Sequence, residues 1–319
     1  MKHKRISAGD LLFNTGTSMF ALILVLLVTS IGIVLVYQSM PTIRAFGLNF
    51  WRTQIWDPVA GNFGALPFIW GTLYSSFIAV LIAAPISIGV AIFISELCPA
   101  WLKQPLVFLT ELLAAIPSIV YGLWGIFVLV PAVRAVQMMC PEWLRAVPLF
   151  SGPRNGLSML SAALILTIMV IPFTSSVARE VLKAVPLAQR EASYALGATR
   201  WEVTKVALHY ARVGIIGAIM LGLGRAIGET MAVTMVIGNN PTMSLSLFAP
   251  QYTMASVIAN EMLEAADDLH ISALVEIGLV LFIVTFMINA ASRMLIWGMT
   301  YQRKRTQAPA EVKSMEPAA

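Results

Sequence analysis

Two charged residues inside a long apolar segment are the residues most able to do chemistry in this sequence. Arg225 and Glu229 interrupt the otherwise apolar segment 213–237. An arginine at the centre of a membrane helix costs about 2.5–3.5 kcal/mol on insertion scales, so its presence needs a physical reason. Four residues apart on one helix, the two charges share a face and partly neutralise each other. Two interpretations stay open: a structural ion pair, or a water-filled pathway in which the arginine favours anions.

The composition indicates a membrane protein. Of the 319 residues, 58% are hydrophobic and 12% are charged, and the mean hydropathy is +0.81. A soluble domain carries about 25% charged residues, so a cytosolic enzyme and a disordered chain are both excluded. The two cysteines, Cys98 and Cys140, are too few for a disulfide scaffold or a Cys-rich metal site.

Six apolar stretches are long enough to cross a bilayer, which needs about 20 helical residues. They occupy residues 19–37, 66–94, 112–133, 155–178, 213–237 and 272–296. The first stretch is too long for a signal peptide, and no cleavage motif follows it. The sequence therefore predicts an all-α integral membrane protein with six transmembrane helices.

The distribution of basic residues predicts the orientation of these helices. If the N-terminus is cytoplasmic, 15 of the 21 lysines and arginines lie inside, 5 lie outside and one lies within a span. The positive-inside rule favours this arrangement. The predicted organisation is a cytoplasmic N-terminus (1–18), a first transmembrane helix (19–40), a periplasmic loop (41–65), a core with five further helices (66–298) and a cytoplasmic tail (299–319).

Two features qualify this membrane map. Three of the apolar stretches contain one proline each, at Pro85, Pro117 and Pro172. A proline either kinks the helix to suit its packing or marks a broken helix whose freed amides line a pathway. In the outer stretch 239–270, apolar residues recur at helical spacing beside acidic ones, which predicts a short amphipathic or re-entrant helix.

The cytoplasmic stretch between the fourth and fifth spans predicts a sharp bend between two helices. Residues 187–196 are good helix formers, and Gly197 stands where a helix end favours a left-handed residue. Thr199 and Glu202 match the capping box that starts a second helix. Because both ends are tethered to spans, this unit has no room to enter a DNA groove, and no nucleic acid partner is expected. It suits a rigid knob presented to a cytoplasmic partner.

Several motifs resemble those of permease subunits of phosphate ABC importers, which have the MetI-like fold of binding-protein-dependent transport permeases. Glu191-Ala192-Ser193, followed by Gly197, is similar to the EAA loop that inserts into the ATP-binding subunit. The positions where that family usually continues with I-x-L-P read Ala207-Leu208-His209-Tyr210 here. The other similar segments are 115–122 (AIPSIVYG), 222–233 (GLGRAIGETMAV), 259–261 (ANE) and 269–270 (LH).

The resemblance implies both a role and a set of site residues. The substrate pathway would include Arg225, Glu229, Ser118 and Thr230. The coupling site for the ATPase, near 187–203, would include Glu191, Ala192, Ser193, Gly197, Ala198 and Thr199. The implied partners in a bacterial inner membrane, besides membrane lipid, are a homologous PstA-like permease, two PstB-like ATP-binding subunits and a periplasmic PstS-like phosphate-binding protein.

No motif indicates that the chain itself hydrolyses ATP. A nucleotide-binding G-x-x-x-x-G-K-[ST] loop is absent from the sequence. The chain is therefore expected to be a non-catalytic subunit without a cofactor of its own, with ATP bound by the partner subunit. The alternatives are an ABC permease for another oxyanion or polar solute, a secondary transporter or channel driven by an ion gradient, and a membrane-embedded enzyme. The sequence contains no set of catalytic residues that would support a membrane-embedded enzyme.

Overall fold

The structure is a computed structural model that describes residues 8–307. Within that range the chain forms helices, turns and loops, and no β-strand. Residues 1–7 of the predicted cytoplasmic N-terminus and residues 308–319 of the predicted tail lie outside the described part.

Six helices in the described part are long and apolar enough to cross a membrane, which confirms the predicted number. We call them spans 1 to 6. Their bounds are Phe13–Gln38, Leu66–Leu97, Ser118–Met139, Met159–Lys183, Arg200–Ile227 and Asp268–Met299.

Several spans begin or end at positions that differ from the predicted ones. The first helix begins at Ala8, before the predicted start at residue 19. The last helix, Asp268–Gln307, continues past residue 298 into the predicted tail. Span 5 already begins at Arg200, because the capping box at Thr199 starts a helix that continues into the membrane without interruption.

The third span also differs from its prediction. Residues 112–115 belong to a separate helix, Ala100–Ala115, and span 3 begins only at Ser118. Ile116 and Pro117 between them are extended, with ψ angles of 130° and 139°. The span therefore begins later than the predicted residue 112, and at Pro117 the alternative of a broken helix applies, because a proline disfavours helical geometry in the residue before it. Pro85 and Pro172, in contrast, lie inside their helices.

Shorter helices connect the spans. The α-helical ones are Met40–Phe46, Glu142–Arg145, Leu187–Ala195, Met231–Val236 and Met254–Glu261, and the 3₁₀-helical ones are Gly47–Trp51 and Pro148–Phe150. The helix Met254–Glu261 confirms that the stretch 239–270 contains a short helix. Its first four residues are buried.

Small side chains let spans 2 and 4 pack close together. Ala79 and Ala83 of span 2 are fully buried, as are Ala162 of span 4 and the neighbouring Met159. Without a hydrophobic driving force between helices in lipid, such small residues let backbones approach and pack. Span 1 contributes little to this core, since none of its most apolar window is buried.

Candidate functional site

The segment around Arg225 is a break between two helices. Span 5 ends at Ile227, and a new helix begins at Met231. Gly228, Glu229 and Thr230 lie between them outside helical structure. The prediction of one continuous helix from 213 to 237, with Arg225 and Glu229 on one face, is therefore wrong.

Glu229 has a local partner that explains part of this break. Its Oε1 accepts a hydrogen bond from the backbone N–H of Ala232, at 3.3 Å, in the first turn of the new helix. A side-chain oxygen there satisfies a free amide, and its negative charge is favourable at a helix N-terminus. Among the ion pairs of residues 8–307, none joins Glu229 to Arg225.

Arg225 is held by an aromatic ring. Its guanidinium carbon lies 5.3 Å from the ring centroid of Phe173, a cation–π distance. Phe173 is near the middle of span 4, Met159–Lys183, so the charge lies at mid-depth in the bundle. The Nε of Arg225 is buried and has no hydrogen-bond partner in the structure. The site therefore contains a membrane-embedded cation with an unused donor.

The break before span 3 lies beside the break after span 5. Gly122 packs against the helix Met231–Val236, and a Cβ at this glycine would lie 3.1 Å from the Cα of Ala232. One turn further, a Cβ at Gly125 would lie 2.9 Å from the Cγ1 of Val236. The two interrupted helices are therefore packed directly on each other.

Tyr121 connects the two sides of the first break. Its hydroxyl donates to the carbonyl oxygen of Leu113, at 2.8 Å, near the end of the preceding helix. The same carbonyl also accepts from the amide of Ile116, at 3.4 Å, at the C-cap of that helix. The ring of Tyr121 is buried in the same core cluster as Ala226 and Ala232.

The other two predicted pathway residues stand at the starts of helices. Ser118 is the first residue of span 3 and is half-buried. Thr230 precedes Met231, and its hydroxyl donates to the carbonyl of Gly228 at 3.3 Å. No hydrogen bond in the described residues joins either side chain to Arg225. Both nevertheless mark helix N-termini, whose free amides carry partial positive charge.

The bend between spans 4 and 5 has the predicted geometry. The helix Leu187–Ala195, which we call the coupling helix, is followed by Gly197 with a φ of +81°. The amide of Gly197 donates to Tyr194 at 2.9 Å, and that of Ala198 donates to Ser193 at 3.1 Å. These bonds satisfy carbonyls at the end of the helix, as left-handed C-caps do.

The second half of the bend is a complete capping box. The amide of Thr199 donates to Oε2 of Glu202 at 2.7 Å, and the amide of Glu202 donates to the hydroxyl of Thr199 at 3.4 Å. Helix termini are therefore fixed on both sides of the bend. The predicted bend between two helices is therefore confirmed, and both of its helix ends are capped within the segment.

The knob presents apolar side chains to its surroundings. The coupling helix has no buried residue. Large hydrophobic residues in and next to it are exposed by half or more: Leu187, Tyr194, Leu196 and Trp201. Glu191 and Ala192 are also exposed. Exposed apolar side chains of this kind are typical of protein or membrane interaction surfaces.

The segments at 259–261 and 269–270 meet at the other end of the bundle. Oε2 of Glu261 accepts from Nε1 of Trp56 at 2.9 Å and lies 3.2 Å from Nε2 of His270. Asn260 donates to the hydroxyl of Tyr252 at 2.8 Å. Burial raises the pKa of Tyr252 to about 12, so this hydroxyl stays protonated. These contacts fasten the loop after span 1 to the start of span 6.

Sequence reasoning missed some residues of the site. Phe173 has no distinctive spacing, so nothing in the sequence connects it with Arg225. Tyr121 and Gly122 stand inside the segment 115–122, and their contacts depend on tertiary packing. The extended Ile116 had a signal, since it precedes a proline.

Comparisons with known proteins agree with this architecture. Residues 87–300 match the family model "Binding-protein-dependent transport system inner membrane component". The chain is 45% identical to the phosphate transport system permease protein PstC of Mesorhizobium japonicum, over 92% of this chain and 91% of that protein. It is 47% identical to the PstC of Pasteurella multocida, over 90% of this chain and 91% of that protein.

A solved structure shows the same fold. A chain from inward-facing crystals of the MetNI methionine ABC transporter aligns with a TM-score of 0.54 at 18% identity, covering 72% of this chain and 93% of its own length. The model match and the curated relatives together decide the family. The chain belongs to the inner membrane components of binding-protein-dependent transport systems and, within them, to the PstC permease family.

Proposed function

We propose that the chain is the permease subunit of an ATP-driven importer for inorganic phosphate. The observation that carries this proposal is the placement of Arg225 against Phe173, near the middle of span 4 and beside two helix breaks, with its buried Nε unpartnered. The curated relatives are named as phosphate transport permeases, which supports phosphate as the anion.

The charge of phosphate explains the need for an arginine. Phosphate carries between one and two negative charges at neutral pH and is strongly disfavoured in a medium of low dielectric constant. A guanidinium supplies a fixed positive charge with donors in a planar fork that matches phosphate oxygens. The amides at the start of span 3 add partial positive charge, as the half-helices of transporters do.

Glu229 has a second role in this proposal. Glu229 lies within the break, four residues beyond Arg225 in the sequence, and its carboxylate caps the following helix through Ala232. A negative charge there limits the attraction of the site for an anion. Transport requires release as well as binding, so a site with Arg225 alone would hold phosphate too tightly.

The energy would come from separate chains. The sequence has no nucleotide-binding loop, so we assign ATP to two PstB-like subunits that dock on the coupling helix and the bend at Gly197. The chain itself needs no cofactor. A homologous PstA-like permease would complete the pathway, and a periplasmic PstS-like protein would deliver phosphate. The bias of basic residues in the sequence supports a cytoplasmic location for both termini.

Uptake of labelled phosphate into proteoliposomes tests this function. The vesicles contain the chain with its permease, ATPase and binding-protein partners. We expect uptake that requires ATP and persists when ion gradients are dissipated by ionophores. Uptake driven by an ion gradient without ATP would contradict the proposal in favour of a secondary transporter. ATP-dependent uptake of sulfate in place of phosphate would instead assign the chain to another oxyanion.

A further inference from the structure

The coupling helix is joined by an ion pair to a span that is distant in the sequence. Nη2 of Arg190, on this helix, lies 2.8 Å from Oε1 of Glu96, at the end of span 2. The exposed fractions of the two side chains are 19% and 12%, so water screens the pair only weakly. Charge-assisted hydrogen bonds of this kind are stronger than neutral ones.

Arg190 also contacts the span that precedes the coupling helix. The same Nη2 donates to the carbonyl oxygen of Leu182, at 2.9 Å, in the last turn of span 4. One guanidinium thus connects the coupling helix, span 4 and span 2. Among the hydrogen bonds and ion pairs of the described residues, Arg190 alone joins the coupling helix to span 2.

The end of span 2 has an unusual local structure at the contact. Residues Phe93–Leu97 form a π-helical turn, and Glu96 belongs to it. The amide of Cys98 donates to the carbonyl of Phe93 at 2.8 Å and closes this turn. π-Helical turns are rare in proteins, and those that occur are often found at functional sites. Here the turn ends span 2 where Glu96 meets Arg190.

Span 2 connects this contact to the outer side of the bundle. Near its other end, Trp70 donates to the carbonyl of Ser244 at 3.0 Å, and the hydroxyl of Tyr74 donates to that of Leu245 at 2.8 Å. Thr72 accepts from the amide of Met254 at 2.9 Å. A displacement of span 2 would therefore move the outer loop that contains these residues.

From this geometry we propose that the Arg190–Glu96 pair makes the coupling helix and span 2 move as one body. It transmits movement of the docked ATPase to the outer loop at 244–245. The inference rests on the proposed function and adds positioning residues to it. Arg190 and Glu96 touch neither phosphate nor ATP; they act through the elements that they join.

A double-mutant cycle in the complete complex tests the pair. Arg190→Gln, Glu96→Gln and the double variant are compared in proteoliposomes for ATP hydrolysis, for phosphate imported per ATP and for co-purification of the ATPase. We expect each single variant to retain the ATPase and to hydrolyse ATP, while phosphate imported per ATP falls about tenfold. The double variant should be no worse than either single variant, because all three lack the same link.

Two further variants separate transmission from a general structural role. Arg190→Lys keeps the positive charge and should retain more than half of the wild-type ratio. Lys183→Gln removes a nearby but exposed pair with Glu180, at 3.0 Å, and should leave the ratio unchanged.

Phosphate import by the wild-type complex distinguishes a failure of this inference from a failure of the proposed function. If the wild-type complex imports phosphate with ATP, an unchanged ratio in both Gln variants would overturn the inference alone. Loss of the ATPase from the purified complex, or effects that multiply in the double variant, would also overturn it. A wild-type complex that imports no phosphate would overturn the proposed function, and this inference with it.

Discussion

Replacement of Arg225 by glutamine distinguishes a substrate role from a structural one. In the structure the guanidinium contacts the Phe173 ring at 5.3 Å and forms no ion pair with Glu229, whose Oε1 is bonded to the amide of Ala232. The variant therefore loses one cation–π contact, which is worth about 0.5–2 kcal/mol. Removal of one partner of a buried ion pair would instead cost about 3–5 kcal/mol. We expect the smaller loss of stability together with loss of phosphate uptake.

The double variant Arg225→Gln/Glu229→Gln completes this test. Glutamine at 229 keeps an oxygen that can accept from the amide of Ala232, so the cap of the following helix is retained. We expect this variant to assemble with its partners and to remain inactive in uptake. Thermal unfolding in detergent measures the stability, and labelled phosphate in proteoliposomes measures the uptake. Recovery of uptake in the double variant, or a destabilisation of about 3–5 kcal/mol in the single one, would refute the reasoning.

Three other predictions concern the bend and the contact between the broken helices. Proline at position 197 is incompatible with the φ of +81° and removes the amide that donates to Tyr194, so Gly197→Pro should uncouple ATP hydrolysis from uptake. Charge reversal by Glu191→Lys should have the same effect. Normal uptake by both variants, with the ATPase still bound, would contradict this prediction. Thr199→Ala should lower the stability by about 0.5–2 kcal/mol in thermal unfolding, and no change would show that the capping box does not stabilise the bend. Gly122→Ala should reduce uptake because the new Cβ would lie 3.1 Å from the Cα of Ala232. The control variant Gly89→Ala has open space around its Cβ and should not reduce uptake. Equal uptake by the two variants would contradict a role for the close packing of Gly122 against Ala232.

The sequence predicted those features that depend on local chemistry. The six spans follow from the apolar character of each stretch, which needs no tertiary contact. The bend was also predictable, because the left-handed glycine at 197 and the box of Thr199 and Glu202 are satisfied within a few residues. The role of the bend as a docking site remains a prediction.

The helix breaks could not be predicted in full, because they depend in part on contacts between residues that are distant in the sequence. A glycine at 228 fits a packing motif and a helix end equally well, and only the contact of Glu229 with Ala232 shows which applies. The approach of Gly122 to Ala232 joins residues that are far apart in the chain. Pro117 gave the one local signal, since it disfavours a helical residue before it.

Protection of a cysteine in the break tests most directly whether phosphate passes this site. Thr230→Cys is placed in a chain with Cys98→Ser and Cys140→Ser, and the complete complex is exposed to a small thiol reagent during ATP turnover. We predict that phosphate slows the labelling at position 230, that sulfate does not, and that labelling of Ser151→Cys on an exposed loop is unaffected. An unchanged rate at position 230, in vesicles that import phosphate, would contradict a pathway through the break.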